Sequence, residues 1–238
     1  MVRSASEIGA RYAEGARYEV KMTCDATYLS DMRAWIRSHP DSFVEAYRPR
    51  RVNSLYLDTY GADCFGESIV GVNHRTKVRF RWYGDDHASA SGVVELKRRS
   101  GRVGWKESHE IAGEFDLTAM SWLHFVRQLQ SRADDRLVPW LSTACQPMLI
   151  TSYMREYYES IDGQVRLTLD HDLAAYEQVM QLTPNLSMRA PDLNRIIVEV
   201  KGDAALHRRL SAVLSSLPLV VARNSKYVNG ITASLSFA

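Results

Sequence analysis

Cysteine is scarce in this sequence of 238 residues. The three cysteines, Cys24, Cys64 and Cys145, are an odd number and show no metal-ligand spacing, which argues against a disulfide framework or a zinc site. No apolar run approaches the roughly 18 residues of a transmembrane helix. Residues 1–16 also lack the apolar segment of a signal peptide. We therefore expect a soluble protein from a reduced, cytoplasmic compartment.

Familiar nucleotide-binding and hydrolase motifs are lacking as well. The sequence has neither a GxxxxGK(S/T) loop nor a GxGxxG turn, which disfavours the ordinary nucleotide-binding folds. Its histidines form no Ser/His/Asp pattern of the kind that serine hydrolases use. The formal net charge is only +2, so overall charge does not support nucleic-acid binding. Any functional basic surface must therefore be local.

Basic residues are concentrated on stretches that alternate like β-strands. In residues 75–83 basic side chains occupy one face and apolar side chains the other, because successive side chains of a strand point to opposite faces. The basic members are Arg75, Lys77, Arg79 and Arg81. A similar division recurs in residues 92–99, 150–158, 164–170 and 195–201. A strand with one solvated face alternates in this way by default, whereas a closed sheet would turn these faces into a cationic cavity lining suited to polyphosphate.

The same patterns outline the fold. They predict about eight strands and a loop around residues 61–71. Helices are predicted within residues 27–38, 115–131, 134–143 and 204–216, and after Ser225. No repeat or interdomain linker interrupts the chain. We therefore predict a single α+β domain over residues 16–238, in which helices interrupt an antiparallel sheet, preceded by a flexible lead-in at residues 1–15.

Candidate phosphate-binding cations lie mostly on the polar faces of these strands. They are Lys21, Arg79, Arg81, Lys97, Lys106, Arg155, Arg166, Lys201 and Lys226. Guanidinium groups bind phosphate oxygens bidentately and lysines add mobile point charges, so the mixture suits a chain of phosphates. Tyr153 can donate a hydrogen bond to phosphate, although a tyrosine beside Met154 and Tyr157 is more often part of a core.

A Glu-x-Lys pattern occurs three times, beginning at Glu19, Glu95 and Glu199. These carboxylates can form ion pairs that keep a crowded interior neutral. They can equally hold a hard divalent metal, because Mg²⁺ and Mn²⁺ are commonly bound by one or two carboxylates together with substrate oxygens. Both interpretations stay open for each glutamate, and Glu199 is the preferred candidate for a metal ligand.

A series of short motifs resembles the catalytic domain of the vacuolar transporter chaperone (VTC) family of polyphosphate polymerases. The motifs are RYEVK at 17–21, NSLYLD at 53–58, KVRFR at 77–81, ELK at 95–97, YMR at 153–155, VRLTLD at 165–170, EVK at 199–201 and SKY at 225–227. Each motif is weak alone, but their order and spacing are specific. The family belongs to the triphosphate tunnel metalloenzymes, which are CYTH-like.

The resemblance implies an eight-stranded antiparallel β-barrel with helices packed outside. It also implies metal-dependent transfer of the ATP γ-phosphoryl group onto a growing polyphosphate chain. The residues implied to hold the triphosphate or the product are Lys21, Arg79, Arg81, Lys97, Lys106, Arg155 and Arg166. Tyr153, Ser225 and Lys226 are implied as phosphate contacts, and Glu199 as the ligand of Mn²⁺ or Mg²⁺.

The implied ligands are ATP, pyrophosphate and polyphosphate, without nucleic acid. A membrane-protein partner acting in trans is compatible with the resemblance, which does not specify an oligomeric state. Hydrolytic relatives share an ExExK strand, and Arg17 replaces its first glutamate here. This departure favours the polymerase over the two alternatives, which are an inorganic triphosphatase with water as acceptor and a non-catalytic module that binds polyphosphate or nucleotides.

Overall fold

A computed structural model describes residues 17–101, 103–190, 194–217, 219–221 and 224–235. The predicted lead-in at residues 1–15 lies outside the described residues, and so does the side chain of Arg17. Among the described helices, none has both the length and the apolar character needed to cross a bilayer.

The described strands form one antiparallel sheet with helices inserted between them, which confirms the α+β class. The strands are β1 Arg17–Asp25, β2 Val44–Asp58, β3 His74–Tyr83, β4 Ala90–Ser100, β5 Val103–Phe115, β6 Gln146–Glu159, β7 Val165–Glu177, β8 Arg195–Asp203 and the two-residue β9 Val220–Val221. Their order is β5-β4-β3-β2-β6-β7-β8-β1-β9. The eight predicted strands are therefore present. In the described residues, β5 and β9 are the two edge strands of the sheet.

Six α-helices lie within the described residues. They are α1 Leu29–Ser38, α2 Asp63–Val70, α3 Trp122–Ser131, α4 Val138–Thr143, α5 His207–Ser216 and α6 Lys226–Leu235. Helix α3 begins later than the predicted residue 115 because β5 continues to Phe115, and Ser121 then caps the helix by accepting a hydrogen bond from the His124 backbone N–H at 3.3 Å.

The prediction of a loop around residues 61–71 is wrong, since α2 occupies most of it. Asp58, at the end of β2, accepts hydrogen bonds from the backbone N–H groups of Cys64 (2.9 Å) and Phe65 (3.0 Å) and so satisfies the helix start from outside. Gly71 ends the helix with a φ of 75°. A hydrogen-bond acceptor on the preceding strand thus supports the start of this short helix.

The described chain packs into two compact units, each assembled from separate segments. The first consists of the residues up to Pro49 with Arg155–His171 and Arg195–Asn224; the second consists of Arg50–Met154, Asp172–Asn194 and the residues from Ser225 onward. Neither unit is a continuous stretch, so this grouping is not a division along the sequence. The single domain over residues 16–238 stays a prediction.

In the first unit, the core lies on one face of β1, β7 and β8. Met22, Leu167 and Val198 come from these strands and are buried against Ile36 of α1 and Leu210 of α5. Because side chains alternate along each strand, these apolar residues lie together on this face. The polar residues between them are therefore directed to the opposite face.

In the second unit, β3 and β4 contribute Phe80 and Leu96 to an apolar cluster with Phe115, Trp122 and Phe125. The Phe80 and Phe125 ring centroids are 5.5 Å apart in an edge-on arrangement. This packing fixes which face of β3 is apolar. Its basic residues must therefore lie on the other face, as the alternation predicts.

Gly92 provides a test of the β3–β4 packing. A Cβ at Gly92 would lie 1.9 Å from the Arg81 backbone oxygen, whereas a Cβ at Gly104 on β5 would lie 3.6 Å from the nearest atom, the Arg98 oxygen. We expect Gly92→Ala to lower the free energy of unfolding by about 2–3 kcal/mol, because backbone atoms must move. Gly104→Ala should change it by less than about 0.5 kcal/mol. Urea denaturation measures both, and equal stabilities of the two variants would contradict this packing.

Candidate functional site

Glu95 is the centre of a group of cations in the second unit, and we call Glu95, Arg79, Arg81 and Lys106 the Glu95 cluster. The Glu95 side chain is 2% exposed. Its Oε2 lies 2.6 Å from Arg79 Nη2 and 3.5 Å from Arg81 Nη1, and its Oε1 lies 2.7 Å from Lys106 Nζ. Three cations thus surround one carboxylate, so the cluster has a surplus of positive charge.

The strand register produces this cluster. Arg79 stands opposite Glu95 in the β3–β4 ladder, and Lys106 is opposite Lys97 in the β4–β5 ladder. Because direct partners on one face have Cβ atoms about 5 Å apart, these long side chains can converge on one carboxylate. Lys97 is exposed.

The cations control the ionisation of the acidic groups near them. Burial alone would raise the pKa of Glu95, but Arg79, Arg81 and Lys106 lower it to about 2. Burial likewise acts to raise the pKa of Tyr56, and the charges of Arg79 and Arg81 shift it below its ordinary value instead. Glu95 is therefore ionised at neutral pH and its ion pairs are formed.

Hydroxyl groups also accept hydrogen bonds from both arginines. Arg79 Nη1 donates to Tyr56 Oη at 3.2 Å, and Arg81 Nη2 donates to Tyr153 Oη at 3.4 Å. Arg81 Nε also donates to Ser54 Oγ at 3.4 Å. Ser54 and Tyr56 stand opposite Arg81 and Arg79 in the β2–β3 register. These two residues were not among the predicted site residues. Alternation places Ser54 and Tyr56 on one face of β2, but it does not show that this face adjoins Arg79 and Arg81.

The start of α6 reaches the same group of side chains. Lys226 Nζ lies 4.2 Å from the centroid of the Tyr153 ring, within the range of a cation–π contact. Lys77 Nζ donates to Ser225 Oγ at 2.9 Å. The structure therefore brings Tyr153 and Lys226 together beside Arg81, and it connects Ser225 to the basic face of β3.

Glu199 is the centre of a second group, in the first unit, and we call Glu199, Glu19, Lys21, Lys201 and Arg155 the Glu199 cluster. Glu199 is buried, and its Oε1 lies 2.6 Å from Lys201 Nζ. Its Oε2 lies 4.0 Å from both Lys21 Nζ and Arg155 Nη2. Glu19 shares the two lysines, at 3.0 Å from Lys21 and 3.5 Å from Lys201. Burial would raise the pKa of Glu199, but Lys21, Lys201 and Arg155 hold it well below its ordinary value.

Asp170 orients the arginine of the Glu199 cluster. Its carboxylate is fully buried and accepts two hydrogen bonds from Arg155, from Nε at 2.6 Å and from Nη2 at 2.7 Å. Such a bidentate pair fixes the plane of the guanidinium group. Arg166 stands opposite Lys201 in the β7–β8 register and is exposed. The structure thus brings Lys21, Lys201 and Arg155 to Glu199, while Arg166 lies at the surface.

The residues around Glu199 fit a particular kind of metal site. Within the described part of the chain, no three or more His, Cys, Asp or Glu side chains are arranged to hold a metal ion. Glu199 and Glu19 supply carboxylates, and Thr168, opposite Glu199 in register, has a buried hydroxyl oxygen for which the described structure gives no hydrogen-bond partner. This donor set fits Mg²⁺ or Mn²⁺ bound largely through substrate oxygens and water. It does not fit a site formed by protein side chains alone.

Comparison with known families agrees with this picture. The model of a family described as the VTC domain matches residues 16–235. The chain belongs to the VTC domain family. The resemblance predicted from the short motifs is confirmed, and membership of the family supports a function related to nucleotides or polyphosphate.

Two solved structures are similar to this VTC domain. The PH1819 protein from Pyrococcus horikoshii OT3 has 15% sequence identity and a TM-score of 0.48, with 92% of this chain and 98% of that chain covered. A putative adenylate cyclase from Vibrio parahaemolyticus has 11% identity and a TM-score of 0.48, with 88% of this chain and 94% of that chain covered. No curated protein matches this VTC domain.

The Glu95 cluster makes a prediction about acid stability. The pKa of Glu95 is lowered from 4.5 to about 2 in the folded protein, so its stabilising contribution is present above pH 4.5 and is lost as the pH falls towards 2. We expect Glu95→Gln to lower the free energy of unfolding by about 3 kcal/mol at neutral pH. The difference from the wild-type protein should shrink over that acidic interval.

The matched control is Glu107→Gln on β5. Glu107 pairs with Arg98 at 3.3 Å and its side chain is 40% exposed, so this substitution should cost less than about 0.5 kcal/mol. Denaturant titrations at several pH values measure both variants. A Glu95→Gln effect that is independent of pH in the acidic range would contradict the assignment.

Proposed function

We propose that this VTC domain is a metal-dependent phosphotransferase that transfers the γ-phosphoryl group of ATP to the end of an inorganic polyphosphate chain. The observation that carries the proposal is the Glu95 cluster, in which Arg79, Arg81 and Lys106 surround one buried carboxylate. The excess charge at Arg79 and Arg81, which are largely buried, requires a further anion, whereas water can solvate the half-exposed Lys106. Phosphate oxygens match that requirement, and guanidinium groups bind them bidentately.

The proposed reaction needs no nucleophile from the protein. An oxygen of the terminal phosphate of the acceptor chain attacks the γ-phosphorus of ATP, and the bond from that phosphorus to the oxygen bridging the β- and γ-phosphates breaks. The electron pair of the broken bond leaves with ADP. Phosphoryl transfer of this kind depends on positioning and on neutralising charge. Arg79 and Arg81 supply both functions, because hydroxyls and Glu95 hold their guanidinium groups in place.

The Glu199 cluster has a complementary role in the proposal. Glu199, with Glu19 beside the same lysines, would hold Mn²⁺ or Mg²⁺. When bound, the metal neutralises charge on the oxygens of the triphosphate. Arg155 is oriented by Asp170 for contact with phosphate, and Arg166 adds an exposed cation.

The remaining lysines provide mobile charge in this scheme. Lys21 and Lys201 bind phosphate when they leave the carboxylates that they now share. Lys97 is exposed and Lys106 is half exposed, so their side chains can move with the polyphosphate as it lengthens. Tyr153 and Lys226 add a hydrogen bond and a charge near Arg81, and Ser225 adds a hydroxyl beside Lys77.

Product analysis tests the proposal directly. Purified protein is incubated with ATP and Mn²⁺ and primed with pyrophosphate, and the products are resolved by gel for long polyphosphate and assayed for free phosphate. We expect a ladder of polyphosphate chains that requires the metal. Free phosphate without polymer would indicate a triphosphatase with water as acceptor, and the absence of both products would leave a binding module.

Glu199→Gln separates metal binding from phosphate binding. The variant replaces the Glu199 carboxylate by a neutral amide, and Lys21 and Lys201 keep Glu19 as an acidic partner. We therefore expect metal-dependent turnover to fall by at least about 100-fold, while metal-free binding of inorganic tripolyphosphate is kept or strengthened. Turnover assays and calorimetric titration measure the two properties. Retained metal-dependent turnover would reject Glu199 as the ligand, and circular dichroism controls for folding.

A further inference from the structure

Tyr227, the second residue of α6, contacts an aromatic ring that belongs to the environment of Arg79. The Tyr227 and Tyr56 rings are stacked, with centroids 4.8 Å apart and an interplanar angle of 16°. Both residues are buried in the second unit. Stacked rings at this distance restrict one another, so the orientation of Tyr56 depends on the position of Tyr227.

A buried carboxylate anchors the Tyr227 ring. The Tyr227 hydroxyl donates to Asp58 Oδ2 at 2.6 Å. Asp58 is itself fixed, because it is fully buried and accepts hydrogen bonds from the backbone N–H groups of Thr59, Cys64 and Phe65 at 2.8, 2.9 and 3.0 Å. Tyr227 is thus attached to a rigid group at its hydroxyl and packs against Tyr56 along its face.

Tyr56 connects this anchored ring to the Glu95 cluster. Its hydroxyl oxygen accepts from Arg79 Nη1 at 3.2 Å, while Arg79 Nε donates to Glu95 Oε2 at 2.7 Å. The guanidinium group is therefore held from two sides. One side is a carboxylate on the neighbouring strand, and the other is a phenol whose ring is held by α6.

The preceding residue of α6 has a parallel arrangement with the second arginine. Lys226 lies over the Tyr153 ring, with its Nζ 4.2 Å from the centroid, and Tyr153 Oη accepts from Arg81 Nη2 at 3.4 Å. Two consecutive residues of one helix thus contact the two rings whose hydroxyls bind Arg79 and Arg81. One such contact is ordinary core packing, whereas the pair indicates that docking of α6 and orientation of the arginines depend on each other.

We propose that Tyr227 is a positioning residue for Arg79, acting through the ring of Tyr56. The inference rests on the proposed function, in which Arg79 contacts phosphate. A guanidinium group that is already oriented loses less conformational freedom when the phosphate binds. Tyr227 therefore strengthens phosphate binding without touching the phosphate.

A double-mutant cycle tests this dependence. Affinity for inorganic tripolyphosphate, without metal, is measured by calorimetry for the wild-type protein, Tyr56→Phe, Tyr227→Leu and the double variant. We expect each single variant to bind about 5–10-fold more weakly, as for loss of the net contribution of one ordinary hydrogen bond. The double variant should bind no more than about twofold more weakly than Tyr56→Phe alone, because both changes remove the same effect.

Two further variants separate positioning from general stability. Tyr227→Phe keeps the stacked ring but loses the hydrogen bond to Asp58 that anchors it, so its affinity should fall between those of the wild-type protein and Tyr227→Leu. Phe125→Leu removes a buried ring from the apolar cluster that contains Phe80 and Phe115, in the same unit. It should lower the melting temperature and leave the tripolyphosphate affinity unchanged. If Tyr227→Leu does not fold, Tyr227→Met replaces it, since methionine fills irregular gaps.

The possible results of these binding measurements distinguish the positioning role of Tyr227 from the proposed function. Additive losses in the cycle, or unchanged affinity in Tyr227→Leu, would overturn the positioning role while leaving the proposed function in place. Failure of the wild-type protein to bind tripolyphosphate would overturn the proposed function, and this inference with it. Weaker binding by Phe125→Leu would show that any loss of packing in the unit weakens binding, which also contradicts a specific role of Tyr227.

Discussion

A buried carboxylate surrounded by three cations is the interaction on which the rest of this structure depends. In one unit Glu95 pairs with Arg79, Arg81 and Lys106, and in the other Glu199 lies among Lys21, Lys201 and Arg155. Neither carboxylate could be buried in its ionised form without these partners. Conversely, neither group of cations could be placed so close together without a carboxylate at its centre.

The antiparallel sheet is what makes such clusters possible. Apolar residues on one face of each strand pack into a core with the helices, and this packing commits the alternate residues to the other face. Once the register is set, charged residues on neighbouring strands converge in rows. The first residues of helix α6 contact the rings of Tyr56 and Tyr153, which lie beside the arginines in the same unit. The phosphotransferase that we propose uses this arrangement to hold charges where phosphate oxygens are to be placed.

Sequence patterns alone predict the faces of the strands well. Alternation in KVRFR at residues 77–81 predicts that Arg79 and Arg81 share a polar face, and the structure places both on Glu95. Alternation does not predict register. Ser54 and Tyr56 were missed for that reason, since only the β2–β3 ladder shows that they stand opposite the two arginines.

Long-range contacts account for the other differences. Helix α2 was predicted as a loop because its cap is Asp58, on the strand before it, rather than a residue at its own start. The role of each Glu-x-Lys glutamate was also open from sequence. The structure shows Glu95 and Glu199 in ion pairs, and the role of Glu199 as a metal ligand stays a prediction.

The measurement that tests the central claim most directly is the melting temperature of the purified chain during titration with inorganic tripolyphosphate. The titration is done without metal and at constant ionic strength, with sulfate as the reference anion. A ligand that binds only the folded protein raises the melting temperature as its concentration increases. We predict a rise well above that with sulfate, and a smaller rise in Arg81→Ala, where Glu95 keeps Arg79 and Lys106 as partners. Identical curves for tripolyphosphate and sulfate in the wild-type protein would contradict the account.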